Sequence, residues 1–352
     1  MMSDKVIDIP ATARLRLDGE ALVANWRALD DMSGAASTGA AIKANAYGLG
    51  AVEVVRRLQS AGCRDFYVAN WQEAREIEAS VEEGTRISVL NGVRPDDMQY
   101  AMGSLAKPVL NSVEQVYRWQ ETGLPCDLMI NSGMNRLGIN PADIEQYDWN
   151  GLDIDIVMSH LASADEDVPQ NADQLNQFDS VLQYVSGKRA SLSNSAGIAL
   201  GQAYHFDCTR PGLSLYGGKQ RPELSAAIKQ VVFPETQILQ VRELQVGDKV
   251  GYNAKYTAER DHPIAILAMG YADGYLRGFS NTGLFLRGQT KLPVLGRVSM
   301  DLIAIDISGA SDLGESDWVT AQYDLPTASR QSGLSQYELI TGLGNRYSRY
   351  WV

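Results

Sequence analysis

Histidine and cysteine are scarce in this chain, with three of each among 352 residues. His160, His205 and His262 stand too far apart for metal-ligand spacing, so no metal centre is expected. Cys63, Cys126 and Cys208 are odd in number and set among apolar neighbours, which suits buried reduced thiols rather than a disulfide framework. No apolar run approaches the roughly 18 residues of a membrane span, and the opening MMSDKVIDIPATARLRLD carries no signal-peptide core. The chain is therefore expected to be cytoplasmic, with no membrane partner. Surplus positive charge is missing too. A net charge of -12 argues against nucleic acid or an anionic surface as partner, and it does not repel a small zwitterion.

The chain does have 45% hydrophobic residues, enough for a sizeable core and for two domains. From Ala13 to about residue 225, short apolar runs alternate with segments of helical period, the pattern of parallel β/α units. Eight runs can be counted: TGAAIK, DFYVA, RISVL, PVLN, CDLMIN, DIVMSH, RASLSNS and HFDCTR. They close most simply as an N-terminal (β/α)8 TIM-type barrel over residues 11–225, an α/β fold whose reacting groups belong at the carboxyl ends of the strands. Beyond residue 226 the runs shorten and alternate, as in HPIAILAMGY and LIAIDIS, and predict a C-terminal, mainly β domain over 226–352. Helix signals punctuate both parts. Ala51, Val54, Val55 and Leu58 share a face that ends at Gly62; Ser112 with Gln115 and Ser335 with Glu338 read as capping boxes; Asn140 before Pro141 marks a helix start.

Lys43 is the residue that needs explaining. It sits in AAIKANAYGLG with no nearby carboxylate in the sequence, the closest being Asp31 and Glu53. Burial of an ammonium is costly, so the amine either loses its proton or forms a bond. A desolvated lysine, its pKa falling from ~10.4, is a natural Schiff-base former; the plainer alternative is a lysine snorkelling from a strand end. Other chemistry-bearing residues fall at the same strand ends: Arg136 after run five, His160 at the end of run six, Ser195 at the end of run seven, Arg210 and Gly212 after run eight.

The segment KANAYGLG resembles the cofactor-lysine signature of the alanine racemases. The resemblance continues in order through SGMNRLG, SHLASADE, NSA, RPGLSLYGG, GYNAKY, GYADGYLR and GRVSMD, nearly the whole chain. It implies pyridoxal 5'-phosphate (PLP) as cofactor, carried by Lys43, with phosphate contacts from Tyr47, Ser195, Gly212 and Leu213. His160 would lie against the ring and Arg210 against the pyridine nitrogen. A guanidinium only donates hydrogen bonds, so that nitrogen would stay unprotonated and the cofactor would be a weaker electron sink, suited to moving one proton. Racemisation needs a base on each face of Cα: the resemblance supplies Lys43 and Tyr252, with Tyr256 the rival in GYNAKY, and joins two chains head to tail as a homodimer with shared sites. Arg136, Met300, Asp301 and Tyr271 match the substrate pocket and its entrance. The first ten or so residues would join the β domain, with a strand over Lys5 to Ile9.

The implied function is interconversion of L-alanine and D-alanine, supplying D-alanine for peptidoglycan. Two alternatives stay open: a broader alanine/serine racemase, and a PLP-binding protein without turnover. A barrel decarboxylase would want a carboxylate where Arg210 stands. Three positions depart from the family pattern. Met129 and Asn131 replace a carbamylated lysine and an aspartate that support the arginine, leaving Asn131 or an anion to hold Arg136. Trp351 replaces a C-terminal tyrosine, so that either its indole N–H or Tyr350 would take that place.

Overall fold

The computed structural model describes residues 9–147 and 149–352; the strand expected over Lys5 to Ile9 falls, except for Ile9, outside them. The chain divides into two compact units, one formed by Gly19–Lys229 and the other by Met1–Asp18 with Gln230–Val352.

In the first unit, seven strands form one parallel sheet in chain order: Ala40–Ala41, Asp65–Val68, Arg86–Val89, Ala106–Leu110, Cys126–Met129, Ile154–Met158 and Arg189–Ser191. An eighth strand, Cys208–Thr209, closes the ring. It pairs in parallel with Ser37–Thr38, just ahead of the first strand, while on its other side Asp207 N–H donates to Ala190 O and Arg210 N–H to Ser193 O. Each of the eight apolar runs thus overlaps one strand, and the α/β barrel stands. The strands are short because parallel strands buried on both faces need only a few apolar residues between a polar start and a polar loop.

The barrel interior is layered. At the amino ends of strands two to seven, each strand has a charged residue at its first or second position, and these pair around the ring. Arg86 Nε bonds Asp65 at 2.7 Å, Arg189 bridges Asp65 and Asp155 at 2.9 Å each, and Lys107 joins Asp155 to Asp127, the latter at 2.6 Å. Above this layer Ala41, Tyr67, Val109, Met129, Ile156, Met158 and Cys208 pack as an apolar plug. The carboxyl ends above the plug carry the polar loops.

The ionic layer is sensitive to loss of either sign. Asp127 is fully buried, so Lys107→Met should leave its carboxylate without its cation and cost about 3–5 kcal/mol, read as a lower urea midpoint. A loss under ~1 kcal/mol would mean that the ring tolerates an unpaired carboxylate. At Asp65, burial pushes the carboxyl up, but hydrogen bonds and charge from Arg86 and Arg189 outweigh it and hold the pKa at about 2. Since the folded value lies below the unfolded ~3.9, this contribution to stability is complete above pH ~4 and is lost as the pH falls toward 2.

The helix signals are realised with one variation. Ala51–Ala61 buries Ala51, Val54, Val55 and Leu58 and ends at Gly62 with φ 118°, a conformation that favours glycine. Pro141–Ile144 starts after Asn140. Ser335 and Glu338 exchange both bonds of a capping box. At Ser112 only half the box forms, because Gln115 Oε1 accepts from Asn111 N–H one residue further out. The three cysteines are buried free thiols.

The second unit is mainly antiparallel, with Ala13–Leu17 and Ser348–Trp351 the one parallel pair among the described residues. Its sheet runs His262–Leu267, Ile303–Asp306, Thr290–Leu295, Leu284–Arg287, Trp318–Ala321, Val232–Leu244, Ala13–Leu17, Ser348–Trp351, and Val232–Leu244 also pairs with His262–Leu267, so six strands close on themselves. Ala13–Leu17 therefore lies in this unit, not in the barrel as a start at residue 11 would have it. Its alternating burial, with Ala13, Leu15 and Leu17 inward, suits a half-buried antiparallel strand, and it pairs in register with Val232–Thr236.

Candidate active site

Lys43 follows the first barrel strand, and the chain then makes an uncommon turn. Ala44, Asn45, Ala46 and Tyr47 all have φ between 53° and 56°. A left-handed turn of L-residues costs roughly 1–2 kcal/mol per residue, so its surroundings must hold it. Asn45 Oδ1 accepts from Ala51 N–H at 2.8 Å, Gly48 closes the turn with φ 89°, and Tyr47 is buried with its ring 4.8 Å from that of Tyr216. The motif KANAYGLG is thus a folding instruction: small residues where a bulky side chain would worsen the strain, asparagine where a side-chain acceptor is needed, and glycine at the exit.

The Lys43 amine is half-buried. Burial lowers its pKa, the Arg136 guanidinium lowers it further, and Glu73 opposes both. That carboxylate is 30 positions away in sequence and was missed by the sequence reading, which found no acidic neighbour. The only signal was Asn70 followed three residues later by Glu73, a helix-start pattern with nothing to indicate what else the glutamate reaches. Arg136 itself is exposed and makes no hydrogen bond among the described residues. Asn131 does not hold it: its amide donates to Asn135 and Asn140 at 3.0 Å each, and its oxygen accepts from Gly133 and Asn135, fixing the loop instead. Met129 sits in the apolar plug.

His160, just past strand six, is held neutral. Burial together with the positive charges of Arg210, Arg136 and Lys43 pushes its pKa down to about 3. Arg210 is buried, donating to Ser191 Oγ and to the Ser159 carbonyl at the ends of strands seven and six. It does not pair with Asp207, three residues earlier, whose carboxylate accepts from Ala190 N–H at 2.7 Å instead.

Ser195 lies beyond strand seven, 1% exposed, at the start of the short helix Ser195–Ala199. Its hydroxyl accepts from Gly212 N–H at 2.9 Å and from Ser214 N–H at 3.2 Å. A Cβ on Gly212 would stand 2.3 Å from the Tyr47 hydroxyl, so only glycine permits this approach. Leu213 is buried alongside. Two backbone N–H groups and the hydroxyls of Ser195 and Tyr47 therefore converge. The Ser214 Oγ and the Tyr67 hydroxyl beneath Arg210 are buried with no hydrogen-bond partner among the described residues. Donor-rich, with a neutral imidazole and a buried guanidinium nearby, this set suits a phosphorylated aromatic cofactor with an anionic tail.

In the second unit, Tyr252 begins a tight turn, Tyr252–Ala254, that continues the hairpin of Lys249–Val250 and Tyr256–Thr257, and it is 67% exposed. Tyr256 is instead anchored. Its hydroxyl lies 3.1 Å from His262 Nε2, and His262 Nδ1 lies 2.9 Å from the Arg260 carbonyl; since a carbonyl only accepts, Nδ1 carries the proton and Tyr256 donates to Nε2. Tyr271, Met300 and Asp301 are brought together. Tyr271 N–H and Ala272 N–H bond the Ser299 and Met300 carbonyls at 3.0 Å, and Arg346 reaches both Asp301 and Asp273 at 2.7 Å. Tyr350 donates to Glu235 at 3.0 Å, which commits it to its own sheet, while Trp351 is half-buried at the end of its strand.

The chain's relatives agree with this picture. Residues 17–220 match the family model "Alanine racemase, N-terminal domain" and residues 231–351 match "Alanine racemase, C-terminal domain". An alanine racemase of Cereibacter sphaeroides is 41% identical over 346 residues, covering 96% of this chain and 98% of the relative. One of Rickettsia peacockii is 39% identical over 345 residues, covering 93% and 96%. The crystal structure of alanine racemase from Bartonella henselae with covalently bound pyridoxal phosphate superposes with a TM-score of 0.90 at 33% identity, covering 97% of this chain and all of that one. Both units and nearly the whole length are matched, and the chain belongs to the alanine racemase family of enzymes.

Proposed function

We propose that this protein interconverts L-alanine and D-alanine with PLP held at the carboxyl ends of the barrel strands. The observation that carries the reading is Lys43: an amine half-buried on a strained turn, with its pKa lowered, beside a neutral His160. A lowered pKa raises the share of free amine at a given pH, as covalent attachment of a carbonyl requires. PLP, when bound, acidifies the Cα proton of an attached amino acid.

The chain's own residues do the rest. Lys43 anchors the cofactor and, once released, takes or returns the proton on one face of Cα. Tyr252 serves the other face. Ser195, Tyr47 and the backbone at Gly212 and Leu213 bind the phosphate, His160 offers an uncharged flat surface to the ring, and Arg210, a donor that cannot accept the pyridine proton, keeps the ring a modest electron sink. Arg136 orients the substrate carboxylate, and Met300, Asp301 and Tyr271 bound the substrate pocket and its entrance. The working unit is a homodimer in which Tyr252 and Lys43 of a shared site come from different chains, and the enzyme acts in the cytoplasm to supply D-alanine for peptidoglycan.

Polarimetry on L-alanine with PLP present tests the reaction: rotation should decay to zero, and the same decay should start from D-alanine. Serine under the same conditions separates a narrow from a broad racemase. If the protein retains PLP while the rotation of L-alanine and of L-serine stays constant, it is a carrier without turnover and the proposal fails.

A further inference from the structure

Glu73 lies at the third position of the helix Trp71–Glu78, which follows barrel strand two. A glutamate there commonly reaches back to the N–H of the cap residue, and here one oxygen reaches one residue further out: Oε2 accepts from Ala69 N–H at 2.7 Å. Asn70 already caps the helix by accepting from Glu73 N–H at 3.0 Å. The other oxygen has no capping task. Oε1 accepts from the backbone N–H of Ala44 at 2.8 Å, the residue directly after Lys43 and the first of the four left-handed residues. One carboxylate thus ties the strained turn of strand one to the loop of strand two, and hydrogen bonds from N–H to a charged acceptor are among the stronger ones available.

We propose that Glu73 is a positioning residue for Lys43: it clasps the Ala44 and Ala69 N–H groups to hold the turn that aims the amine, and it supplies the negative charge that the amine faces. The proposal rests on Lys43 being the reacting amine. The charged groups acting on Lys43 are Arg136, which drives the proton off, and Glu73, which retains it, while His160, neutral over the working range, adds no charge. On the neighbouring helix, Glu53 is engaged by Arg57 at 2.9 Å. Glu73 is therefore the carboxylate that opposes the loss of the Lys43 proton, and an amine that must both give and take a proton needs such a counterweight.

The test uses the full chain freed of PLP, so that it does not depend on turnover. Trace acetylation of Lys43 with acetic anhydride, followed by peptide mass spectrometry across pH, reads the free-amine fraction directly. Hydrogen exchange of residues 43–50 reads the turn. Glu73→Gln removes the charge and sets an amide NH2 against one of the two N–H donors: Lys43 should label about threefold faster at fixed pH, with its midpoint moved to lower pH, and the turn should exchange roughly tenfold faster. Glu73→Asp keeps the charge but cannot span both donors, so its labelling profile should stay near the parent while its turn also exchanges faster. A Lys43 profile unchanged in Glu73→Gln, or Glu73→Asp shifting as far as Glu73→Gln, overturns the electrostatic role. Unchanged exchange in both variants overturns the clasp. If all these results come out as expected but borohydride fixes the cofactor elsewhere, the clasp survives and the assignment of Lys43 is what fails.

Discussion

Lys43→Ala should lose racemase activity by more than the roughly 10²- to 10⁴-fold typical of removing a positioned base, because the same residue also anchors the cofactor. Borohydride treatment of the parent protein with PLP, followed by peptide mapping, should put the stable label on Lys43, and the variant should take up none. Among the described residues one lysine, Lys107, is buried, and its surroundings rule it out as the anchor. Lys107 is 8% exposed but is gripped by Asp127 and Asp155 in the ionic layer, at the amino ends of the strands, so its amine is already committed to two carboxylates. Lys43 has the opposite setting, with Arg136 driving the proton off. A label on Lys107 or on any surface lysine would overturn the assignment, and with it the reading of the KANAYGLG turn as a cofactor mount.

The second large effect concerns Tyr252. Its exposure on a tight turn of the β unit has a plain reading, a surface aromatic beside Gly251, and a functional one, a base offered to another chain. Tyr256 has the poorer claim, since its hydroxyl is already spent on His262. Tyr252→Phe should cost about 10²- to 10⁴-fold on its own. Mixed with Lys43→Ala protein under conditions that exchange subunits, it should regain activity, because each hybrid dimer holds one site with both original residues and one with neither. Up to a quarter of the parent activity is expected from about half the dimers being hybrid with one good site each, on the order of 10² above either variant alone. If native mass spectrometry shows hybrid dimers and the mixture stays inactive, both bases come from one chain or Tyr252 is not one of them.

The departures at Met129 and Asn131 show how far a local pattern carries. That an uncharged thioether stands in strand five was plain in the sequence, and its consequence was an arginine lacking its usual support. What replaces that support was not legible, because it depends on which side chains the loop from 131 to 140 folds together. In the structure Asn131 spends both its donors and its acceptor within that loop. Arg136 is left to act through its charge on Lys43 and His160.

By itself the sequence determined the barrel, since eight apolar runs at helical spacing can bury their faces in few other ways. It also determined the strained turn after Lys43, through small residues, one asparagine and two glycines in a row of eleven. Those are local facts, governed by periodicity and backbone sterics. The tertiary structure alone decided which charges meet: the ring of Asp65, Arg86, Lys107, Asp127, Asp155 and Arg189, drawn one or two residues into six separate strands, and the placement of Glu73 against Ala44 across 29 positions. It also moved Ala13–Leu17 out of the barrel and into the β sheet. The physical reason is common to all three. Electrostatic partners and sheet neighbours are chosen by distance in space, which chain closure sets, whereas period and turn chemistry are written residue by residue along the chain.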